Sequence, residues 1–234
     1  MSKNNHHNSR KEGNFAINKI LIISEDKKSF LIYLEKILRE NRLTKSSVFR
    51  KTKNQYGHQI WARVENGTKL EITTMHTETC PKIIANHAKK ECDNYQKIFC
   101  VFDLPSAQSG HIPKFREAMK IINSNQNIIP ITSAPEYEFW LFLHFSNSAS
   151  PTNSKELEKG LNEKIVEKLK KKEFEYSKNE LCNDLFNKLL ENQNNAIKHA
   201  KQIEKSNQND HAKKPEEQIP HTRIHLLIEE IINS

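Results

Sequence analysis

Glycine is scarce in this chain, with five among 234 residues. They build no phosphate-cradling loop. Neither GxxxxGKS/T nor GxGxxG occurs, so the chain is not expected to hydrolyse ATP by itself. A serine nucleophile elbow is missing as well. Cysteine is sparse: Cys80, Cys92, Cys100 and Cys182 form no CxxC pair and show no metal-ligand spacing. Reduced thiols in a cytoplasmic protein are the ordinary reading of such a set. No segment approaches the roughly 20 consecutive apolar residues of a membrane span, so no membrane association is expected. The opening MSKNNHHNSRKEGN lacks the apolar stretch of a secretory leader and reads as a disordered, mildly basic tail over residues 1–14. The shortage of Gly, with abundant Asn and Lys, partly reflects genome base composition.

What is present is enough for a core. Hydrophobic residues make up 35% and charged residues 28% of a length that suits one large domain, or a domain with a sizeable appendage. Two short apolar runs each end in an acid. KILIIS leads from Lys19 to Glu25, and KIFCVF leads from Lys97 to Asp103. Each has the length and composition of a strand buried on both faces, and each is followed by a helix signal. The carboxyl ends of such strands are where open parallel sheets gather ligands and catalytic groups. Two carboxylates there point to a divalent metal site or a general acid/base pair.

The formal charge is +8, and its placement tells more than its total. Residues 151–234 hold 15 Lys/Arg against 15 Asp/Glu, whereas residues 1–150 hold 22 against 14. Seven basic residues crowd the stretch Arg39, Arg42, Lys45, Arg50, Lys51, Lys53 and Arg63, with Glu40 the one acid among them. Such a cluster fits a polyanion such as nucleic acid, or a solvated surface in a Lys-rich protein.

Along the chain, the first strand gives way to a helix over Ser29–Arg42, with Asp26 or Ser24 as its cap. Alternation on both sides of Asn66-Gly67 predicts a hairpin joining residues 60–64 and 68–72. A helix over residues 81–93 follows, with Thr79 as cap and Pro81 in its first turn. After the second acid come a loop over residues 104–112, a helix over 113–123, a short strand over 127–131 and an apolar helix over 136–145. Residues 15–146 therefore read as an α/β domain with a mainly parallel sheet flanked by helices. The polar stretch over residues 146–153 reads as a linker. Beyond it, residues 154–234 form a C-terminal helical extension, with helices over 154–171, 178–205 and 223–232 and a polar break over 206–220. This extension either packs back on the domain or binds a partner.

Taken together, these segments resemble the RloB family, Toprim-like proteins encoded in bacterial restriction and phage-defence loci. ILIISEDKKSFLIYLEKIL looks like the family's opening strand, acid and helix, and KIFCVFD like its second acidic strand. APEYEFWLFLHF and PHTRIHLLIEEI are similar to two later family segments, and the match runs in order over roughly residues 19–232. The resemblance implies a Toprim-like fold and a metal-dependent nuclease in phage defence, cleaving RNA such as tRNA, or DNA. It further implies Glu25 as general acid/base and Asp103 as the first residue of an Asp-x-Asp motif that holds Mg²⁺ or Mn²⁺. It also implies an ATPase partner from the same locus, and leaves a homo-oligomer open. Here the second Asp is replaced by Pro105. Glu25 and Asp103 would then hold the metal alone, with Asp26 or Glu138 making up the deficit. Otherwise the chain is a catalytically silent nucleic-acid-binding or regulatory subunit, or an interaction module whose tail docks a partner.

Several residues carry competing readings. Glu25 can serve as a helix cap and Asp103 as a turn residue. Lys27 and Lys28 open a helix where cations are unfavourable, which suits a phosphate contact or plain solvent exposure. Glu138, in an apolar helix, needs a partner: His144, a Lys or a metal-bound water for catalysis, or a structural salt bridge. His221 and His225 stand four apart near a helix start, where they could chelate zinc or simply pack. Trp61 and Tyr56 lie among the basic residues, where aromatic rings stack on bases or pack on the sheet.

Overall fold

The computed structural model describes residues 16–26, 28–46, 58–77, 80–104, 110–208 and 217–234. Its frame is a seven-stranded sheet in the order β2-β3-β4-β1-β5-β6-β7. The strands are β1 (Ala16–Ser24), β2 (Thr44–Ser46), β3 (His58–Glu65), β4 (Thr68–His76), β5 (Lys97–Asp103), β6 (Ile128–Ala134) and β7 (His221–Thr222). The four central strands β4, β1, β5 and β6 run parallel, and the pairs at both edges are antiparallel. The hairpin forms at Asn66-Gly67, both in the left-handed region at φ 50° and 76°. A two-residue turn of that type matches strand twist, and it brings Glu65 opposite Thr68.

The all-apolar sequence of β1 follows from burial on both sides. Ile20 and Ile22 enter one core, and Leu21 and Ile23 enter the other. The second core is closed by α2 (Pro81–Lys90) and α3 (Ile112–Asn123), through Ile84, Ala88, Phe115 and Ile122. The first core is larger. It holds α1 (Ser29–Glu40) and α4 (Glu138–Leu143), together with the later helices α5 (Ser154–Leu169), α6 (Asn183–Glu191), α7 (Gln193–Gln208) and α8 (Ile224–Asn233). Leu157, Leu161 and Ile165 of α5 and Leu227, Ile228 and Ile231 of α8 are fully buried in it. Each such side chain contributes about 1.5–3 kcal/mol. The helical extension thus packs on the same face of the sheet as α1.

Four elements differ from the sequence reading, the first being β2, an edge strand at Thr44–Ser46 that was not expected and pairs with β3. The helix expected over residues 178–205 is two helices. Asn192 breaks it by donating its side-chain Nδ2 to Lys188 O at 2.9 Å, while its own carbonyl accepts from Ala196 N. The last apolar helix is six residues long rather than spanning 136–145, and all six are buried. Residues 221–222 form a strand that was not expected, paired with β6 at Ser133 and Ala134. Pro130 inside β6 is tolerated because β7 does not reach it on that side. No helix among the described residues is long and apolar enough to cross a membrane.

Candidate active site

β1 and β5 are neighbours in the middle of the sheet, yet the chain leaves their carboxyl ends in opposite directions, towards β4 from β1 and towards β6 from β5. That divergence opens the crevice in which ligands of open α/β sheets bind. Glu25 and Asp103 stand on its two lips. The Glu25 N–H donates to Val101 O at 3.1 Å, and the Asp103 N–H donates to Glu25 Oε1 at 2.5 Å. The two acids are therefore tied together through β5's backbone.

Their protons are held unusually tightly. Burial pushes the Glu25 carboxyl up to about 7, opposed by the Asp103 amide and reinforced by Asp26. Asp103 is driven well above the carboxylate range, first by burial and then by Glu25, Glu138, Glu136 and Asp26. Among the described residues, five acids thus share one end of the sheet.

Asp26 is spoken for. Its carboxylate accepts from the Lys28 N–H at 2.6 Å, and from the Ser29 hydroxyl and the Phe30 N–H at 2.7 Å each. It caps α1, as one of the two sequence alternatives had it. Glu138 opens α4 and is only 4% exposed. Its partners come from the connection between α5 and α6: the Tyr176 hydroxyl donates to Oε1 at 3.4 Å, and Lys178 Nζ lies 3.4 Å from Oε2. Lys178 also reaches Glu136 at 2.7 Å. Burial still raises the Glu138 pKa, with Lys178 acting against it. Lys178 supplies the lysine partner considered for Glu138. His144 instead bonds through Nδ1 to Trp140 O at 2.9 Å, inside the core.

The donor set fits a hard cation. Mg²⁺ takes one or two carboxylates and completes its shell with water and substrate phosphates, and a cluster of acids raised first by burial and then by one another is short of positive charge. Glu25 and Asp103 are the two carboxylates that could hold such an ion. A three-acid site does not fit, because no group of three or more His, Cys, Asp or Glu among the described residues is arranged around a metal position.

The basic residues fall elsewhere. α1 runs back from the crevice, so Arg39 in its last turn and Arg42 just beyond lie some twelve residues away, about 18 Å at 1.5 Å per residue. Arg63 sits at the same far end: it pairs with Leu70, which in turn pairs with Asn18 near the start of β1. Its Nη1 donates to Asn41 O at 2.8 Å. Lys28 alone of the described basic candidates stands beside the acids, and it is exposed. Lys27, Arg50, Lys51, Lys53, Tyr56, Thr79 and Pro105 lie outside the described residues. Trp61 offers no stacking face. It is 1% exposed, packed in the core because its position on β3 faces α1, with Arg39 and Lys45 each 5.5 Å from its ring centroid.

His221 and His225 do not converge on a metal position. His221 bonds Thr132 Oγ1 at 2.9 Å and His225 lies 3.3 Å from Glu204, because His221 is in a strand rather than on the helix. The sequence reading missed Glu136, Tyr176 and Lys178. The signal available for the last two was the aromatic and charged stretch Phe174–Lys178 inside a segment otherwise patterned as helix.

Among solved structures, two of the futalosine hydrolase of Helicobacter pylori strain 26695 align with this chain. The native form matches at 13% identity over 38% of this chain and 36% of its own, with a TM-score of 0.26. The mutant form matches at 12% identity over 37% and 36%, with a TM-score of 0.25. This chain therefore spans little more than a third of either. No curated protein matches it. The family model described as RloB-like protein matches residues 20–231, from β1 to the last turns of α8. The chain belongs to the RloB-like family.

Proposed function

We propose that this chain, whose family membership suggests a defence-related role, is a metal-dependent nuclease effector with its centre at Glu25 and Asp103. The observation that carries the proposal is the bond between them: two acids of raised pKa, joined by the Asp103 amide, at the switch point of the sheet. Bound at these two residues, Mg²⁺ or Mn²⁺ would supply positive charge to a phosphate and lower the pKa of a coordinated water. Glu25, titrating at about 7, is matched to taking or giving a proton near neutrality. Asp103 is the metal-holding acid, as in the Toprim-like pattern that the segments resemble. Glu138 stands behind the pair as a third acid, restrained by Lys178.

Lys28 meets the nucleic acid at the site, and Arg39, Arg42 and Arg63 hold its backbone at a distance. A duplex touching both places covers about five base pairs, since 18 Å of axis corresponds to some five phosphates per strand. Lys27, Arg50, Lys51 and Lys53 belong to the same proposed contact set. The four free cysteines suit the reducing cytoplasm in which such an effector works, and an ATPase from the same locus is the partner proposed.

The test is cleavage of tRNA, single-stranded and duplex substrates with Mg²⁺ or Mn²⁺ and with chelator. Wild type is run beside Glu25→Gln and Asp103→Asn. The proposal expects metal-dependent cleavage by wild type alone. Salt-sensitive binding by all three proteins without cleavage would refute it, and would make the chain a silent nucleic-acid-binding subunit of a defence complex.

A further inference from the structure

Glu138 stands beside the proposed metal centre and is turned away from it. Along β5, Phe99 and Val101 enter the core that holds α1, so Asp103, the next alternate position, faces the same side of the sheet. Asp103 pairs with Ser133 of β6, and the chain beyond β6 opens α4 with Glu138, over that same core. After Glu25, Glu138 is the acid whose charge bears most on Asp103. Its carboxylate nevertheless does not converge with those of Glu25 and Asp103 on a metal position.

What holds it aside is one short piece of chain. Tyr176 and Lys178, in the connection between α5 and α6, take one oxygen each. The Tyr176 hydroxyl donates to Oε1 and Lys178 Nζ lies against Oε2, both at 3.4 Å. The piece is itself pinned. The Tyr176 N–H donates to Asn162 Oδ1 at 2.7 Å, the Ser177–Glu180 bridge closes the turn that carries Lys178, and Leu181 beyond it is buried.

The grip on Glu138 is loose, because 3.4 Å lies beyond the usual hydrogen-bond range. Lys178 has a closer partner in Glu136 at 2.7 Å, and its side chain is 55% exposed. Glu138 can therefore leave without stranding a buried ammonium. A divalent ion attracts a carboxylate about twice as strongly as an ammonium does at equal distance.

Resting on the metal-dependent reading above, we propose that Tyr176 and Lys178 are positioning residues that hold Glu138 out of the metal centre, and that a divalent cation at Glu25 and Asp103 competes with them for its carboxylate. The two-acid centre is then the withheld state. The α5–α6 connection, far along the chain from either acid, sets how tightly the ion is bound.

The experiment is calorimetric titration of the full chain with Mn²⁺ at pH 8, with thermal melting followed in parallel. Wild type is compared with Lys178→Met, Tyr176→Phe, Glu138→Gln and the double variant Lys178→Met/Glu138→Gln. Asp103→Asn identifies the heat that belongs to this centre. Lys178→Met should tighten Mn²⁺ binding about fivefold or more. Tyr176→Phe, which changes no charge and frees only Oε1, should tighten it about twofold. In the Glu138→Gln background the gain from Lys178→Met should vanish, since the carboxylate it releases is gone. Binding by Lys178→Met and Tyr176→Phe no tighter than wild type overturns the inference. So does a Lys178→Met gain that persists undiminished beside Glu138→Gln, which would make the lysine a through-space charge alone. The two readings fail separately. The expected pattern of affinities without cleavage sinks only the nuclease reading, cleavage without that pattern sinks only the role of Tyr176 and Lys178, and no Mn²⁺ binding by any folded protein sinks the metal centre and this inference together.

Discussion

Replacing Glu25 by Gln should make the protein more stable at neutral and alkaline pH, although it removes an acid proposed to be catalytic. An unfolded glutamate titrates near 4.5, and the folded Glu25 titrates at about 7. Between those values the folded state keeps a proton that the unfolded state has lost, so stability falls as pH rises through this window. The full shift corresponds to about 3 kcal/mol at pH 8 and about 1 kcal/mol at pH 5, at 1.36 kcal/mol per unit. Gln carries no charge, keeps an oxygen to accept the Asp103 N–H, and escapes that cost. Relief of Asp103, which Glu25 also raises, acts in the same direction. Urea unfolding of wild type and Glu25→Gln in chelator, at pH 5 and pH 8, measures the gap. The variant should lead at pH 8 by an amount approaching 3 kcal/mol and by about a third of that at pH 5. A variant equal to or less stable than wild type at pH 8 would refute the claim that this carboxylate is held against its preference. Adding Mg²⁺ at pH 8 should then raise the wild type's midpoint and leave the variant's nearly unmoved.

Two further outcomes rest on neighbouring groups. Asp26→Ala should lose about 1–2 kcal/mol in urea unfolding through loss of the α1 cap, while Asp26→Asn keeps most of that stability. Lys178→Met should cost about 1–2 kcal/mol at pH 7.5, because Glu138, with its side chain 5% exposed, loses a cation that is itself 55% exposed. The deficit should shrink as pH falls and Glu138 takes up its proton, and adding Glu138→Gln should largely restore stability. A deficit independent of pH would assign the lysine to packing alone.

The parts of this fold that could be read from sequence were those governed by local pattern. Buried parallel strands are apolar throughout, and so β1 and β5 stood out with their terminal acids. Asn66-Gly67 specified its turn by backbone conformation, and Asp26 capped α1 through bonds to groups two to four residues away. What escaped depends on distant chain segments. β7 exists because Thr222 and His221 meet Ser133 and Ala134 across 89 residues, and a two-residue strand has no period to detect. Lys178 finds Glu136 at a separation of 42, which no spacing rule anticipates. The basic cluster was legible as charge but not as position. Nothing in Arg39 to Arg63 reveals that α1 carries its end away from the acids.

The separation between β6 and β7 has a consequence for synthesis. Until the ribosome has added 89 residues beyond Thr132, β6 is a bare sheet edge, open to pairing with other chains. The described acids at the end of the sheet are all made by Glu138, whereas the lysine that tempers them comes 40 positions later. A growing chain therefore passes through a stage in which its acids are gathered but uncompensated and its sheet is unfinished, and at neutral pH their repulsion works against early closure of the crevice. Assembly of the site and completion of the fold are thereby pushed towards the same late moment.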